Sequence, residues 1–174
     1  MRAFCYLLLI PLFISLSNAS IVEETCKNIS TSHPNIAYDF CVNSFESCED
    51  SLVAADQRTL AIIASRLANS TAVKTEARIQ ELMEEEKNQP RRNRLDTCME
   101  EYSNAIDELT TAAQALNVCR DGDAQTFLSA ALDAASNCED AFAEAEDASP
   151  LEEEDAEYGQ LAAIALAIVA ALRR

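Results

Sequence analysis

The chain has 174 residues, 30 of them acidic and 13 basic, with 7 Cys, a single His and no Trp. That length suggests one domain, and a formal charge of −17 repels nucleic acid and anionic membrane surfaces, so a partner chosen by charge is a basic one. Only 2 Gly and 4 Pro, with abundant Ala, argue for helix nearly throughout.

Residues 1–19 read as a secretory signal peptide. Arg2 is its positive start, Phe4 to Ile14 its apolar stretch, and Ser17-Asn18-Ala19 a cleavage signal, with the cut between Ala19 and Ser20. The apolar stretch is shorter than the about 20 residues a membrane-spanning helix needs. Residues 20–174 then form the domain, where 12 basic residues stand against 30 acidic ones. Cys5 leaves with the signal. The six remaining, Cys26, Cys41, Cys48, Cys98, Cys119 and Cys138, allow 15 pairings and imply disulfides. No two are spaced C-x-x-C, and His33 lies in a turn, so no metal, cofactor or redox site is expected.

In chain order, residues 20–52 form a helical hairpin. A short helix over 21–30 carries Cys26. His33-Pro34-Asn35 is a turn, because the residue before Pro avoids the helical region. A second short helix over 37–45 carries Cys41. A Cys26–Cys41 bond would staple the two, closing a loop of about 15 residues and contributing about 3 kcal/mol.

Residues 53–174 hold four long helices. The first runs over about 54–86 with Leu60, Ile63, Leu67, Ile79 and Leu82 on one stripe; its polar middle, Asn69-Ser70-Thr71, is a place for a kink or a weak section. The second starts at Pro90 and ends near Val118; Leu95, Cys98, Tyr102, Ile106, Leu109 and Leu116 keep helical spacing over six turns. Arg120-Asp121-Gly122-Asp123 is a turn, and Asp123 is expected to cap the third helix, which carries Phe127, Ala131, Cys138 and Phe142 and ends near Ala145. Ser149-Pro150-Leu151-Glu152 reads as a capping box opening the fourth, which ends at Leu172. Residues 162–172 are almost wholly apolar but too few to span a bilayer, so they read as a buried core helix. Gly159 inside it costs about 1 kcal/mol against Ala.

Short connections between long helices give an all-α fold, an up-down-up-down four-helix bundle with the hairpin as an N-terminal extension. Cys98 lies about two turns into the second helix and Cys138 about two turns before the end of the third. Antiparallel neighbours bring them level, so a Cys98–Cys138 bond is feasible. Cys48 precedes the first long helix and Cys119 follows the second, which predicts a third bond, Cys48–Cys119; the alternative is two free thiols or pairing between molecules. Asn28-Ile29-Ser30 and Asn69-Ser70-Thr71 are glycosylation sequons, and both Asn28 and Asn69 are expected to lie away from the face described next.

The residues hold no catalytic set. Acid pairs lie on exposed helix faces, a Ser-His-Asp set has only His33 to use, and Glu-x-x-His motifs and phosphate-cradling Gly loops are missing from the sequence. Glu100, Asn104 and Asp107 instead stand at i, i+4 and i+7, on one face of the second long helix, and Asn137 and Asp140 stand three apart on the third. Such a row is either solvated surface or, held rigid by a disulfide, a docking face for a basic cleft.

Thr25-Cys26-Lys27-Asn28, Pro34-Asn35 and Tyr38-Asp39-Phe40-Cys41 resemble the start of the plant invertase and pectin methylesterase inhibitor family. Cys98-x-x-x-Tyr102-x-x-Ala105-Ile106, Ser129-Ala130-Ala131-Leu132-Asp133, Cys138-Glu139-Asp140-x-Phe142 and Tyr158-x-Gln160-Leu161 are similar to that family too, so the resemblance spans about residues 21–172. It implies a four-helix bundle with a helical hairpin, disulfides matching Cys26–Cys41 and Cys98–Cys138, and inhibition of a plant cell-wall enzyme; with its secretory signal the chain is expected in the apoplast or cell wall, as a monomer. Members acting on invertase present a Pro-Lys-Phe tripeptide between the second and third long helices; the matching place here is Gly122-Asp123-Ala124. Members acting on pectin methylesterase place acids at positions matching Glu100, Asp107 and Asp140, while Asn104 and Asn137 replace an acid and a Thr of that pattern. The expected function is occlusion of a pectin methylesterase cleft. The alternatives are inhibition of acid invertase, or a non-inhibitory secreted bundle known as a pollen antigen.

Overall fold

The computed structural model describes residues 21–173. The expected signal peptide and its cleavage site lie outside the described residues. Helix α1 spans 21–32 and α2 spans Tyr38–Glu46. They pack as a hairpin around the Cys26–Cys41 disulfide, with Val22, Ile29, Ile36 and Phe45 buried beside it. A 3-10 turn over Glu49–Val53 leads to the four long helices: α3 Gln57–Glu85, α4 Gln89–Asn117, α5 Asp121–Ala143 and α6 Glu152–Leu172. Packing runs round a closed square, α3 on α4, α4 on α5, α5 on α6 and α6 back on α3, while α2 lies on α3 and α6. This is the all-α, disulfide-stapled four-helix bundle with an N-terminal hairpin that the periodicity predicts.

Small side chains let the helices approach closely. Ala61, Ala68, Ala112, Ala131, Ala162 and Ala165 are buried between larger residues such as Leu60, Leu109, Leu128 and Ile164. Tyr102 of α4 and Tyr158 of α6 meet edge to face with ring centroids 5.0 Å apart. Both hydroxyls have partners, as buried phenols require: Tyr158 donates to the Ala131 carbonyl and Tyr102 to Asp155. α6 is long and apolar enough by composition to cross a membrane, but Leu161, Ile164, Ala165 and Ile168 are spent on the bundle core.

Several helix ends differ from the expected ones. α3 starts at Gln57 rather than at 54, because the Asp56 carboxylate accepts the Thr59 N–H at 2.8 Å and fixes the cap there. α3 runs as one unbroken helix through Asn69-Ser70-Thr71. That stretch is polar because it packs: Asn69 Nδ2 donates to the Ile106 carbonyl of α4 at 2.9 Å, and Thr71 is buried. α4 is capped by Asn88, whose side chain accepts the Arg91 N–H, with Pro90 in the first turn. α5 starts at Asp121, so Asp123 is not its cap but a first-turn acid paired with Arg120. The Ser149–Glu152 capping box does not form. Ser149 Oγ accepts the Leu151 N–H at 3.1 Å, buried Leu151 takes the cap position, and Glu152, Glu153, Glu154 and Asp155 face the positive end of the helix dipole.

Two arginine clusters brace the ends of the square. Arg58 of α3 donates to both carboxylate oxygens of Asp121 on α5, the Nη2 bond being 2.9 Å, and holds that carboxyl below the usual carboxylate range. At the other end Arg91 and Arg94 of α4 grip Asp147 of the α5–α6 connection, and their guanidinium groups lie 5.3 and 5.4 Å from the Phe142 ring centroid.

The cysteines require one correction. Cys98–Cys138 is formed, but Cys48 and Cys119 are free thiols, not a third disulfide. Counting elements put both at one end of the bundle without saying how they turn. The 3-10 turn separates Cys48 from α3, and its side chain packs against the core. Cys119 is exposed in the α4–α5 turn, at a left-handed φ of 58°.

Candidate functional site

The acidic row is carried by the two helices that the Cys98–Cys138 bond joins, where the Cα atoms approach to 4.6 Å. The buried stripe of α4 passes through Leu95, Cys98, Tyr102, Ala105 and Leu109. A helix that buries those positions turns the opposite side outward, and Glu100, Asn104 and Asp107 all stand exposed there. On α5, burial of Ala134, Ala135, Cys138 and Phe142 leaves Asn137 and Asp140 exposed. Thus all five predicted residues are solvent-facing and lie on adjacent helices.

Of the five, Asn137 is tied directly across the seam. Its Nδ2 donates to Glu101 Oε2 at 2.9 Å, next to the disulfide, so the register of α4 against α5 is held by a covalent bond and a hydrogen bond at neighbouring positions. Glu101 was not among the predicted residues. Neither were Glu108 and Asp133, which also belong to this seam: burial first, then the negative charges of Glu101 and Asp133, push the Glu108 carboxyl above its ordinary range. A signal for them was present in the spacing. Glu101 and Glu108 are seven apart, one step round the helix from Glu100 and Asp107, and Asp133 stands four before Asn137.

The face is therefore wider and more negative than the row of five, continuing into the α4–α5 groove. It offers carboxylate acceptors and carboxamide donors on two rigid helices. That suits recognition of positive and hydrogen-bonding groups on another macromolecule. Among the described residues no group of three or more His, Cys, Asp or Glu is arranged to hold a metal ion.

The two sequons differ in setting. Asn28 is exposed on α1. Asn69 is half-buried, and its amide nitrogen also lies 3.3 Å from Thr110 Oγ1. Asn69 thus touches α4, at Ile106 and Thr110, the residue before Asp107 and the third after it.

Comparison with known proteins places these features in context. Residues 20–168 match the family model described as plant invertase/pectin methylesterase inhibitor. A Platanus orientalis protein, provisionally named an invertase inhibitor, is 33% identical over 154 residues, covering 88% of this chain and 90% of its own. The pectinesterase inhibitor of Actinidia deliciosa is 30% identical over 147 residues, covering 80% of this chain and 76% of its own. A crystal structure of a mutant form of a pectin methylesterase inhibitor from Arabidopsis covers 81% of this chain and 95% of its own with a TM-score of 0.69; at 21% identity it shares the fold.

Proposed function

The chain belongs to the plant invertase/pectin methylesterase inhibitor family, a family of inhibitors and not of catalysts, and we propose that its target is a pectin methylesterase, whose substrate cleft the α4/α5 face occludes. The observation that carries this reading is the exposed row Glu100, Asn104, Asp107, Asn137 and Asp140 on two helices locked by Cys98–Cys138. Preorganisation matters because association costs ordering free energy, and helices cross-linked at the contact have little left to order. The strong negative charge steers the protein to a basic cleft. It acts as a monomer outside the cell, in the cell wall, after removal of residues 1–19.

The absence of Pro-Lys-Phe at Gly122-Asp123-Ala124 favours the esterase over invertase. Invertase is kept as the second reading because of the name carried by the Platanus protein. Titrating the purified protein against a pectin methylesterase and an acid invertase separates the two. Loss of esterase activity alone supports the first; loss of invertase activity alone reverses the order; inhibition of neither points to a non-inhibitory bundle. Glu100→Lys combined with Asp140→Lys should weaken esterase inhibition on the order of a hundredfold with an unchanged helical spectrum. Undiminished inhibition by that variant removes the α4/α5 face as the contact.

A further inference from the structure

Behind the acidic face lies a polar cluster that docking does not use. Asp155, in the first turn of α6, is 4% exposed, buried as few carboxyls are. Its Oδ1 accepts the Tyr102 hydroxyl of α4. Its Oδ2 and Glu139 Oε1 of α5 are both buried, and neither has a donor among the described residues. The two carboxyls line one hollow with Glu152, Ala135 and Ala156, and they are within hydrogen-bonding reach of each other. Two ionised carboxylates at that range repel, and neither could be a donor. One proton between them turns the same geometry into a hydrogen bond.

We propose that Asp155 and Glu139 share a single proton and form a pH-set latch that fastens the start of α6 to α5 and, through Tyr102, to α4. Among the described residues, no positive charge bears on the pair to replace the proton. Tyr102 faces the pair from α4 and Glu139 from α5, while Glu154 and Glu152 lie on α6 itself; every one of these groups is neutral or acidic. Burial first, then Glu139, pushes the Asp155 carboxyl up to about 8, against the pull of the Tyr102 hydrogen bond.

The sign of the linkage follows. A folded-state acid raised above its unfolded value of 3.8 gives a contribution that is complete below pH 3.8 and disappears as pH climbs to about 8. Within that window the folded protein holds one proton more than the unfolded chain, so the unfolding equilibrium constant rises about tenfold per pH unit from this group. Glu108, also raised, acts in the same direction, while Asp56, Asp121 and Asp147 are lowered and act only at more acid pH. The latch is therefore isolated by difference, between the wild type and a variant that cannot ionise there.

The experiment is urea unfolding of the oxidised protein from pH 5 to 8, for wild type and Asp155→Asn. The amide keeps an acceptor for Tyr102 and brings its own donor for Glu139. Wild type should lose stability steeply across the range, Asp155→Asn should lose much less, and the variant should be the more stable of the two at pH 8. Should Asp155→Asn not fold, Glu139→Gln takes its place: its amide donates to Asp155 where the shared proton stood, so the loss of stability across the range should be shallower than in the wild type, though burial of Asp155 keeps part of it. Independently, a protonated-carboxyl infrared band should persist in the wild type at pH 6.5 and be missing from the variant. Parallel pH profiles for wild type and variant overturn the proposal, as does a missing band. Stabilisation of the wild type, but not of Asp155→Asn, by millimolar calcium at pH 7 would make the pair a cation site and overturn it equally.

Discussion

Removing the Cys98–Cys138 bond is the most direct test of what holds the α4/α5 pair together. The perturbation is the double substitution Cys98→Ala and Cys138→Ala, which leaves no unpaired thiol at the site. The bond closes a loop of 40 residues, and both cysteines are wholly buried. Constraint of the unfolded chain by a loop of that length is worth about 4 kcal/mol. For a domain of this size each kcal/mol moves the melting temperature by about 2–4 °C, so a fall of about 8–16 °C is expected. The Cys26–Cys41 bond closes 15 residues, contributes about 3 kcal/mol in the same treatment, and lies in the hairpin outside the square. Its removal should therefore raise amide exchange mainly across residues 21–46, leaving the bundle amides protected. Thermal melts by circular dichroism and exchange mass spectrometry read the two outcomes. A Cys98/Cys138 variant within about 1 kcal/mol of wild type would refute the reasoning. So would a disulfide map of the wild type in which Cys48 and Cys119 are joined rather than free.

Three further outcomes follow from the packing. When the protein is made in a glycosylating host, intact-mass analysis should show a glycan at Asn28 and none at Asn69, since Asn69 Nδ2, the atom that would carry the sugar, donates to the Ile106 carbonyl between α3 and α4. Asn69→Ala should cost about 1 kcal/mol in urea unfolding, and Asn28→Gln nothing measurable; equal costs would contradict this. Gly159→Ala should stabilise the fold by about 0.5–1 kcal/mol, because a Cβ there meets only Ala135 Cβ at an ordinary 3.9 Å; a lower melting temperature would contradict the packing at that point.

How legible each feature was depended on the range of the interaction behind it. The row Glu100, Asn104 and Asp107 could be read because helical spacing puts i, i+4 and i+7 on one face whatever the neighbours are. The Cys98–Cys138 pairing could be read because both sit at similar depth on consecutive antiparallel helices. Spacing puts Glu101 and Glu108 one step round the helix from Glu100 and Asp107, but that they and Asp133 belong to the seam depends on which flank of α4 meets α5, and hydrophobic period alone does not say this. The packing of Asn69-Ser70-Thr71 could not be read, since a polar run in sequence looks the same whether its amide is solvated or donates to a carbonyl 37 residues away.

By itself the chain determined its helices, the closed square of amphipathic stripes and the two disulfides that lie at matching depths, because each follows from local spacing and short connections. Only tertiary structure decided the fate of Cys48 and Cys119, which depends on how each side chain turns at the end of the bundle. Only tertiary structure, too, brought Asp155 to Tyr102, 53 residues earlier, and to Glu139. The physical reason is the same in both cases: burial and pairing are properties of surfaces that meet, and those surfaces come from segments far apart in the chain.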